Sequence, residues 1–312
     1  MISPLHLAFL GASTLFVLVS LFAGTFGLLF CERFVQARTQ HRDGPGRGGR
    51  VDYLQVWTDF RKVRSKGWDP QSPLSARFRL ALAAWALLPA IFLLVLLSPL
   101  LPESLADAEL PVLLLLPLVA AGIEALFMHA TSDTKERYEW RKHLLLRIMG
   151  ASMLYLAVVA VGLRVGNSTL LSISELQSRF PFHAILASPG LFLCGVGAFA
   201  AIFLFAAESP VESRNEPSLR RSLQYLLFFV NKMWIFCLLC FWVFVFFGGF
   251  GPVLTKIVFP VKAAAALFAF TLIQVSFPRA RSSDAVELTG RWLLRLCLVG
   301  FLLEVVWVGV WG

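Results

Sequence analysis

Five ionisable residues interrupt the long apolar segments of this 312-residue chain, and they are the first indication of chemistry: Glu124, Arg147, Lys232, Lys262 and Glu304. Charged side chains inside membrane-spanning segments are costly, so each is a functional candidate. Arg147 and Lys262 lie near predicted helix ends and can snorkel to the membrane surface. Lys232 lies deeper and needs a partner or a water-filled cavity. Glu124 lies about two turns inside its predicted helix, too deep for so short a side chain to snorkel.

The elements that carry these residues are apolar helices. The chain is 58% hydrophobic and only 15% charged. Uninterrupted apolar runs of 18 or more residues can cross a hydrocarbon core about 30 Å thick as helices, which satisfy their own backbone hydrogen bonds. We predict an all-α integral membrane protein, with residues 1–312 forming a single transmembrane domain. The predicted helices lie at 5–31, 80–100, 110–130, 143–163, 189–207, 222–247, 257–277 and 292–311.

The basic residues predict the orientation of this domain in the membrane. The segments 32–79, 131–142, 208–221 and 278–291 hold eleven, four, three and three Lys and Arg residues. The intervening connections hold only Arg164, Arg179 and Lys256. Twenty-one against three is a strong positive-inside bias, which predicts that both termini face away from the cytoplasm. The net charge of +9 therefore indicates topology and not a nucleic-acid partner.

One long polar loop, 32–79, separates the first two predicted helices. Residues 43–50 are rich in glycine and arginine, as in an extended surface loop. Residues 51–64 follow with apolar side chains at three-to-four spacing and mostly charged residues opposite, which predicts an amphipathic helix on the membrane surface. This helix can be a lipid anchor, a platform for a soluble partner, or both at once.

No autonomous active site is evident in the sequence. It has no glycine-rich loop between strand and helix and no nucleophile motif, so we assign no catalytic residue. Cys237 and Cys240 share a helix face, but no second ligand pair accompanies them, and packing is the favoured interpretation over metal binding.

Proton transfer is the sharper hypothesis for Glu124. A carboxylate at membrane depth can act as a relay, and the carboxylates of the third inside loop can deliver protons to it. These loop residues are Glu208, Glu212 and Glu216. The alternative is a structural hydrogen bond or a salt bridge, with Arg147 on the neighbouring helix as the candidate partner.

Several segments, in their order and spacing, resemble the H subunit of respiratory complex I, called chain 1 in mitochondria. Group 4 membrane-bound hydrogenases and formate hydrogenlyase carry a homologue. The segments are Glu32-Arg33, Gln40–Arg47, Leu54-Gln55, Asp59, Lys62, Lys66, Leu144–Arg147, Tyr155, Phe246–Gly249 and Phe277–Asp284. Together with the eight-helix pattern they extend the resemblance over nearly the whole chain.

The resemblance implies a heel subunit that joins a soluble redox arm to antiporter-like membrane subunits in a bacterial inner membrane. The arm would contain iron–sulfur subunits and a hydrogenase-like large subunit. By position, Arg33, Gln40, Arg42 and Arg47 would line the junction with the arm. Asp59 and Lys62 would lie near the entrance of the quinone chamber. The chain itself would bind no cofactor, and a quinone would be held at the interface with the arm.

Two departures from this family bear on coupling. Leu156 stands where the family has a glutamate after the tyrosine, and a leucine side chain cannot carry a proton. The family's long acidic loop is reduced here to the segment with Glu208, Glu212 and Glu216. Two alternatives to a coupling subunit therefore remain: a structural anchor without proton or quinone chemistry, and the membrane subunit of a group 4 hydrogenase-type complex.

Overall fold

Helices form nearly all of the chain that the computed structural model describes, which comprises residues 4–40, 58, 61, 76–97, 109–131, 134–179, 184–206, 218–248, 253–276 and 282–311. Within these ranges the β-type pairing is a single antiparallel bridge between Glu109 and Thr169. The predicted all-α fold is confirmed. Of the predicted surface helix, Thr58 and Arg61 fall in the described ranges and both are helical, while its remainder lies outside them.

The helices follow one another along the chain with short connections. Their bounds are α1 Pro4–Thr39, α2 Ala76–Leu96, α3 Leu110–Leu113, α4 Leu115–Thr131, α5 Thr134–Val165, α6 Leu170–Arg179, α7 Pro189–Ala206, α8 Ser218–Phe247, α9 Val253–Ser276, α10 Ser282–Leu288 and α11 Leu294–Trp311. A 3₁₀ turn at Ala184–Leu186 precedes α7, and a π-helical turn at Thr289–Leu293 joins α10 to α11.

The apolar parts of these helices occupy all eight predicted positions. Six are long and apolar enough to cross a membrane: Thr14–Thr39, Arg141–Val165, Pro189–Ala206, Leu226–Phe247, Val258–Ser276 and Asp284–Val310. Shorter apolar helices at Ala83–Leu96 and Leu110–Leu126 occupy the second and third predicted positions. The chain is therefore an integral membrane protein by helix length and composition.

The helix ends differ from the predicted ones because an apolar run marks only the part that crosses hydrocarbon. α1 continues to Thr39, eight residues past its predicted end at residue 31, and α5 begins at Thr134 instead of residue 143. Backbone hydrogen bonding continues through polar residues once the helix leaves the membrane. The short helix α6 and the π-helical turn have no apolar run of their own and were not predicted.

Local residue types explain where several helices begin and end. Gly166 and Gly248 follow the last residues of α5 and α8 with φ of 77° and 97°, the left-handed conformation that ends helices and that glycine adopts without strain. The carbonyl of Phe247 at the end of α8 accepts a hydrogen bond from Lys262 Nζ of α9 at 2.6 Å. Lys262 thus caps a neighbouring helix from within the bundle.

Helix α8 lies at the centre of the bundle. About 72% of its apolar span is buried, compared with 17% for the span that contains α11. Its buried aromatic side chains Phe241, Phe244 and Phe246 are among the largest in the core. Because α8 contacts α1, α2, α7 and α9, a polar side chain on α8 can reach partners on several helices.

Helices α7 and α11 approach each other most closely at glycines. A Cβ atom at Gly190 would lie 2.6 Å from the backbone nitrogen of Glu304 and 2.7 Å from the carbonyl oxygen of Gly300. A Cβ at Gly197 would overlap the Sγ of Cys297. Small residues permit this backbone approach, which is the common mode of helix packing in membranes.

We therefore expect Gly190→Ala to destabilise the protein by about 1–3 kcal/mol, because the added methyl group has no space between two backbones. Gly27→Ala is the matched control, since a Cβ there meets no atom within 4 Å. The control should be neutral or stabilising by about 0.5–1 kcal/mol, the advantage of alanine over glycine inside a helix. Thermal unfolding of the full chain in detergent measures both. A melting temperature for Gly190→Ala that equals the control's would contradict this packing.

Candidate functional site

Arg147 and Glu124 form an ion pair in the interior of the bundle. Arg147 Nη1 of α5 donates to Glu124 Oε2 of α4, and the two side chains are 8% and 3% exposed. Nη2 of the same guanidinium donates to Oδ1 of Asn231 on α8 at 3.2 Å. Arginine retains its proton in proteins, so it places a permanent positive charge beside the Glu124 carboxylate.

A second buried ion pair begins at the next residue of α8. Lys232 Nζ donates to Glu32 Oε1 of α1 at 2.5 Å, and it lies 5.3 Å from the centroid of the Phe228 ring. Both side chains of the pair are largely shielded from solvent. The negative face of the aromatic ring adds a favourable contact for the ammonium group. Lys232 therefore has the partner that its depth in the membrane requires.

Together these residues form one polar group, which we call the charge cluster: Glu32, Glu124, Arg147, Asn231 and Lys232. Successive residues of a helix point about 100° apart, which lets Asn231 face α5 while Lys232 faces α1. Two carboxylates and two cations make the cluster formally neutral, as a low-dielectric interior favours. Arginine and asparagine cannot pass on a proton in this setting, so proton uptake in the cluster is restricted to its carboxylates and Lys232.

The structure decides between some of the sequence-based interpretations. The salt bridge between Glu124 and Arg147, the alternative to a relay, is present, although its presence does not test proton transfer. Arg147 is buried and does not snorkel. Leu156, which replaces the family's glutamate, is half-buried on α5 and packs against apolar core residues.

The residues predicted to dock the soluble arm are described only in part. Arg33 is half-buried on α1, beside Glu32. Gln40 is exposed one residue beyond α1, and its N–H group donates to the carbonyl of Gln36 at 3.1 Å. Seven other predicted site residues lie outside the described part of the chain: Arg42, Arg47, Asp59, Lys62, Glu208, Glu212 and Glu216.

The sequence analysis missed two members of the charge cluster as site residues. Glu32 lies just past the predicted end of the first helix, where a carboxylate looks solvated. Asn231 carries no charge, and its only sequence signal is its position before Lys232.

Metal binding has no support among the residues that are described. Their His, Cys, Asp and Glu side chains form no group of three or more that could hold a metal ion. Cys237 donates to the carbonyl of Pro89 across the α2–α8 contact at 3.4 Å, and Cys240 is buried in the apolar core. Both cysteines have the surroundings of packing residues.

The buried ion pair predicts a large effect on stability. Arg147→Ala leaves the Glu124 carboxylate buried without its counter-charge, and we expect a loss of about 3–5 kcal/mol. Arg291→Ala is the control, because Arg291 and Glu287 form an exposed pair one turn apart, worth about 0.3–0.5 kcal/mol. The double variant Glu124→Leu with Arg147→Met should recover most of the loss. Unfolding free energies of the full chain in mixed micelles measure all three, and equal losses for the two alanine variants would contradict a buried pair.

Comparisons with known proteins agree on one family. The model of the NADH dehydrogenase family matches residues 12–218. A protein of Syntrophobacter fumaroxidans, named as the second H-type subunit of its NADH-quinone oxidoreductase, is 26% identical over 311 residues, covering 90% of each chain. In fold, the chain is similar to a chain in the structure of the membrane-bound sulfane sulfur reductase, an archaeal respiratory membrane complex. That match has a TM-score of 0.72 and 20% identity, and it covers 94% of this chain and 98% of the other.

The family match extends over the first five predicted helices and includes Glu32, Glu124 and Arg147 of the charge cluster. It covers well over half of the chain, and the relative and the similar fold extend the likeness to nearly all of it. The chain belongs to the NADH dehydrogenase family, and within it to the type of the complex I membrane subunit that carries the letter H.

Proposed function

We propose that this protein is the membrane heel subunit of a complex-I-like NADH- or ferredoxin:quinone oxidoreductase assembly. In this role it docks a soluble redox arm and links the arm to antiporter-like, ion-translocating membrane subunits. The charge cluster carries the proposal beyond family membership. It connects Glu32, at the base of the loop 32–79, to Glu124 in the bundle interior through contacts of 2.5 to 3.2 Å and the Arg147–Glu124 pair.

The docking surface is proposed to be the loop 32–79. Its eleven basic residues suit a contact with an arm of complementary charge, and Arg33, Gln40, Arg42 and Arg47 would line the junction. Asp59 and Lys62 would lie on the surface helix near the entrance for a quinone. The arm would supply the iron–sulfur centres and the hydrogenase-like large subunit, and this chain would supply side chains but no redox group.

The linking role is proposed to use Glu124 as a proton carrier. Since Leu156 has no acid–base group, a route along α5 past that position is closed, and Glu208, Glu212 and Glu216 would deliver protons to Glu124 from the inside loop. The charge cluster supports this route, because Glu124 already has a fixed counter-charge that holds its carboxylate in one orientation.

One alternative follows from the same geometry. A neutral, fully paired cluster is also what a structural anchor needs, and in that case the chain holds the arm without moving protons. A second alternative follows from the fold. The similar chain comes from a complex described as a membrane-bound sulfane sulfur reductase, so this architecture is compatible with an assembly of the group 4 hydrogenase type that uses no quinone.

We further propose that the chain lies in the inner membrane of a bacterium with both termini on the periplasmic side. The support is the twenty-one to three distribution of basic residues between the predicted inside and outside connections.

Charge reversal tests the docking surface. Arg42→Glu with Arg47→Glu should release the soluble arm from the purified complex while this chain remains inserted, because two attractive contacts become repulsive. Arg179→Glu with Lys256→Glu reverses the same amount of charge on the predicted outer side and should leave the arm bound. Co-purification of the arm subunits with each variant is the measurement. An intact complex in the first variant would contradict docking at this loop.

The Glu124→Gln variant tests the proton relay, because glutamine keeps the shape and hydrogen-bonding capacity of the side chain and removes its charge. In an assembled complex reconstituted into vesicles, we expect the number of ions pumped per electron to fall while electron transfer continues. Asn231→Ala is the control, since it removes a contact of the cluster but no proton carrier. An unchanged ion-to-electron ratio in Glu124→Gln would assign Glu124 a structural role and favour the anchor alternative.

A further inference from the structure

A second buried carboxylate lies far from the charge cluster. Glu304 of α11 is fully buried, and its Oε2 accepts a hydrogen bond from the hydroxyl of Ser188. The Ser188 hydroxyl also caps α7, since Oγ accepts the backbone N–H of Leu191 at 3.1 Å. The Glu304 carboxylate therefore lies at the N-terminus of α7, where the partial positive charge of the helix favours an anion.

The other oxygen of this carboxylate is unsatisfied. Oε1 of Glu304 is buried and has no hydrogen-bond partner among the described residues. The cation that approaches it is Arg164 at the end of α5, whose Nη1 is 3.8 Å away, beyond hydrogen-bonding distance. The Arg164 side chain is 31% exposed. A buried carboxylate oxygen without a partner indicates that a proton or a water molecule completes the site.

Access to the site is open on one side only. Next to Gly190, an apolar cleft of about 120 Å³ is lined by Pro189, Gly190, Leu303, Val306, Trp307 and Val310, and these residues offer no polar side chain toward Glu304 except the indole of Trp307. The partly exposed guanidinium of Arg164 lies directly against Oε1 and extends to solvent. Water thus reaches Glu304 along Arg164.

The charges around Glu304 act in opposite directions. Burial disfavours the charged carboxylate, whereas Arg164 of α5 and the N-terminus of α7 favour it. The other titratable groups near it on the helices that pack against α11 and on α11 itself are the thiols of Cys194 and Cys297, which are neutral at physiological pH. Opposed influences of this kind are typical of carboxyl groups that exchange protons.

We propose that Glu304 is a proton-binding site on the outer side of the membrane, loaded from water along Arg164 and separate from the charge cluster. Arg147 and Arg164 are 17 residues apart on α5, which corresponds to about 25 Å along the helix axis. The helix thus carries an arginine beside a buried carboxylate near each membrane face. The assignment of the outer side rests on the proposed orientation, and the site itself is independent of arm docking and of quinone.

Infrared difference spectroscopy of the full chain in lipid vesicles tests this site directly, with an acid jump applied separately to each side. We expect a protonated carboxyl band to appear when the pH falls on the side of Arg164, identified by labelling of Lys256→Cys. The band should be lost in Glu304→Gln and retained in Glu124→Gln. Ser188→Ala should shift its frequency, because the carboxyl group loses a hydrogen-bond donor.

The outcomes separate proton binding from a purely structural role. If no titrating band is lost in Glu304→Gln, or if the band responds only to the opposite side, the proposal is wrong and Glu304 is a fixed charge that holds α7 and α11 together. If Glu304→Gln does not insert, Glu304→Asp keeps the acid and must shift the band, and an unshifted band overturns the proposal. Because no soluble arm is present, failure here is distinct from failure of the docking or relay proposals.

Discussion

A guanidinium inside a membrane bundle retains its charge and has no bulk water to solvate it. Arg147 therefore requires acceptors from neighbouring helices, and Glu124 and Asn231 supply them from α4 and α8. Such contacts have direction, so they determine how α4, α5 and α8 are rotated against each other. Through Lys232 and Glu32 the same requirement reaches α1. Apolar packing has no comparable directional demand and completes the bundle around these pairs.

Helix α5 is held at both ends by different means. Near one end Arg147 contacts α4 and α8, and near the other Arg164 approaches Glu304 of α11. Between them α5 presents apolar side chains, including Leu156, to the core. Hence the two buried carboxylates on its neighbours, Glu124 and Glu304, are electrostatically separate groups. Any communication between them must pass through movement of helices, because the described part of α5 offers no chain of titratable groups between Arg147 and Arg164.

The sequence was sufficient to predict the helices but not all of their contacts. Apolar run length is a local property, and it predicted eight helices in the correct order. The pair of Glu124 and Arg147 was also within reach, because two consecutive antiparallel helices place both residues near the same membrane face. The pair of Lys232 and Glu32 joins residues 200 positions apart, and its formation depends on which helices are neighbours. The role of Ser188 depends on a hydroxyl that serves a helix cap and a carboxylate at once, which no spacing rule indicates.

The length of α1 has a mechanical consequence. Its 36 residues correspond to a rod about 54 Å long, well beyond the thickness of the hydrocarbon core, and after Pro4 at its start no proline interrupts it. A continuous ladder of backbone hydrogen bonds resists bending, so a tilt imposed at Thr39 must be shared by the whole rod. Glu32, about two turns below that end, would then act as the fulcrum's contact with α8. A load on the loop after Thr39 is thereby converted into a torque on the centre of the bundle.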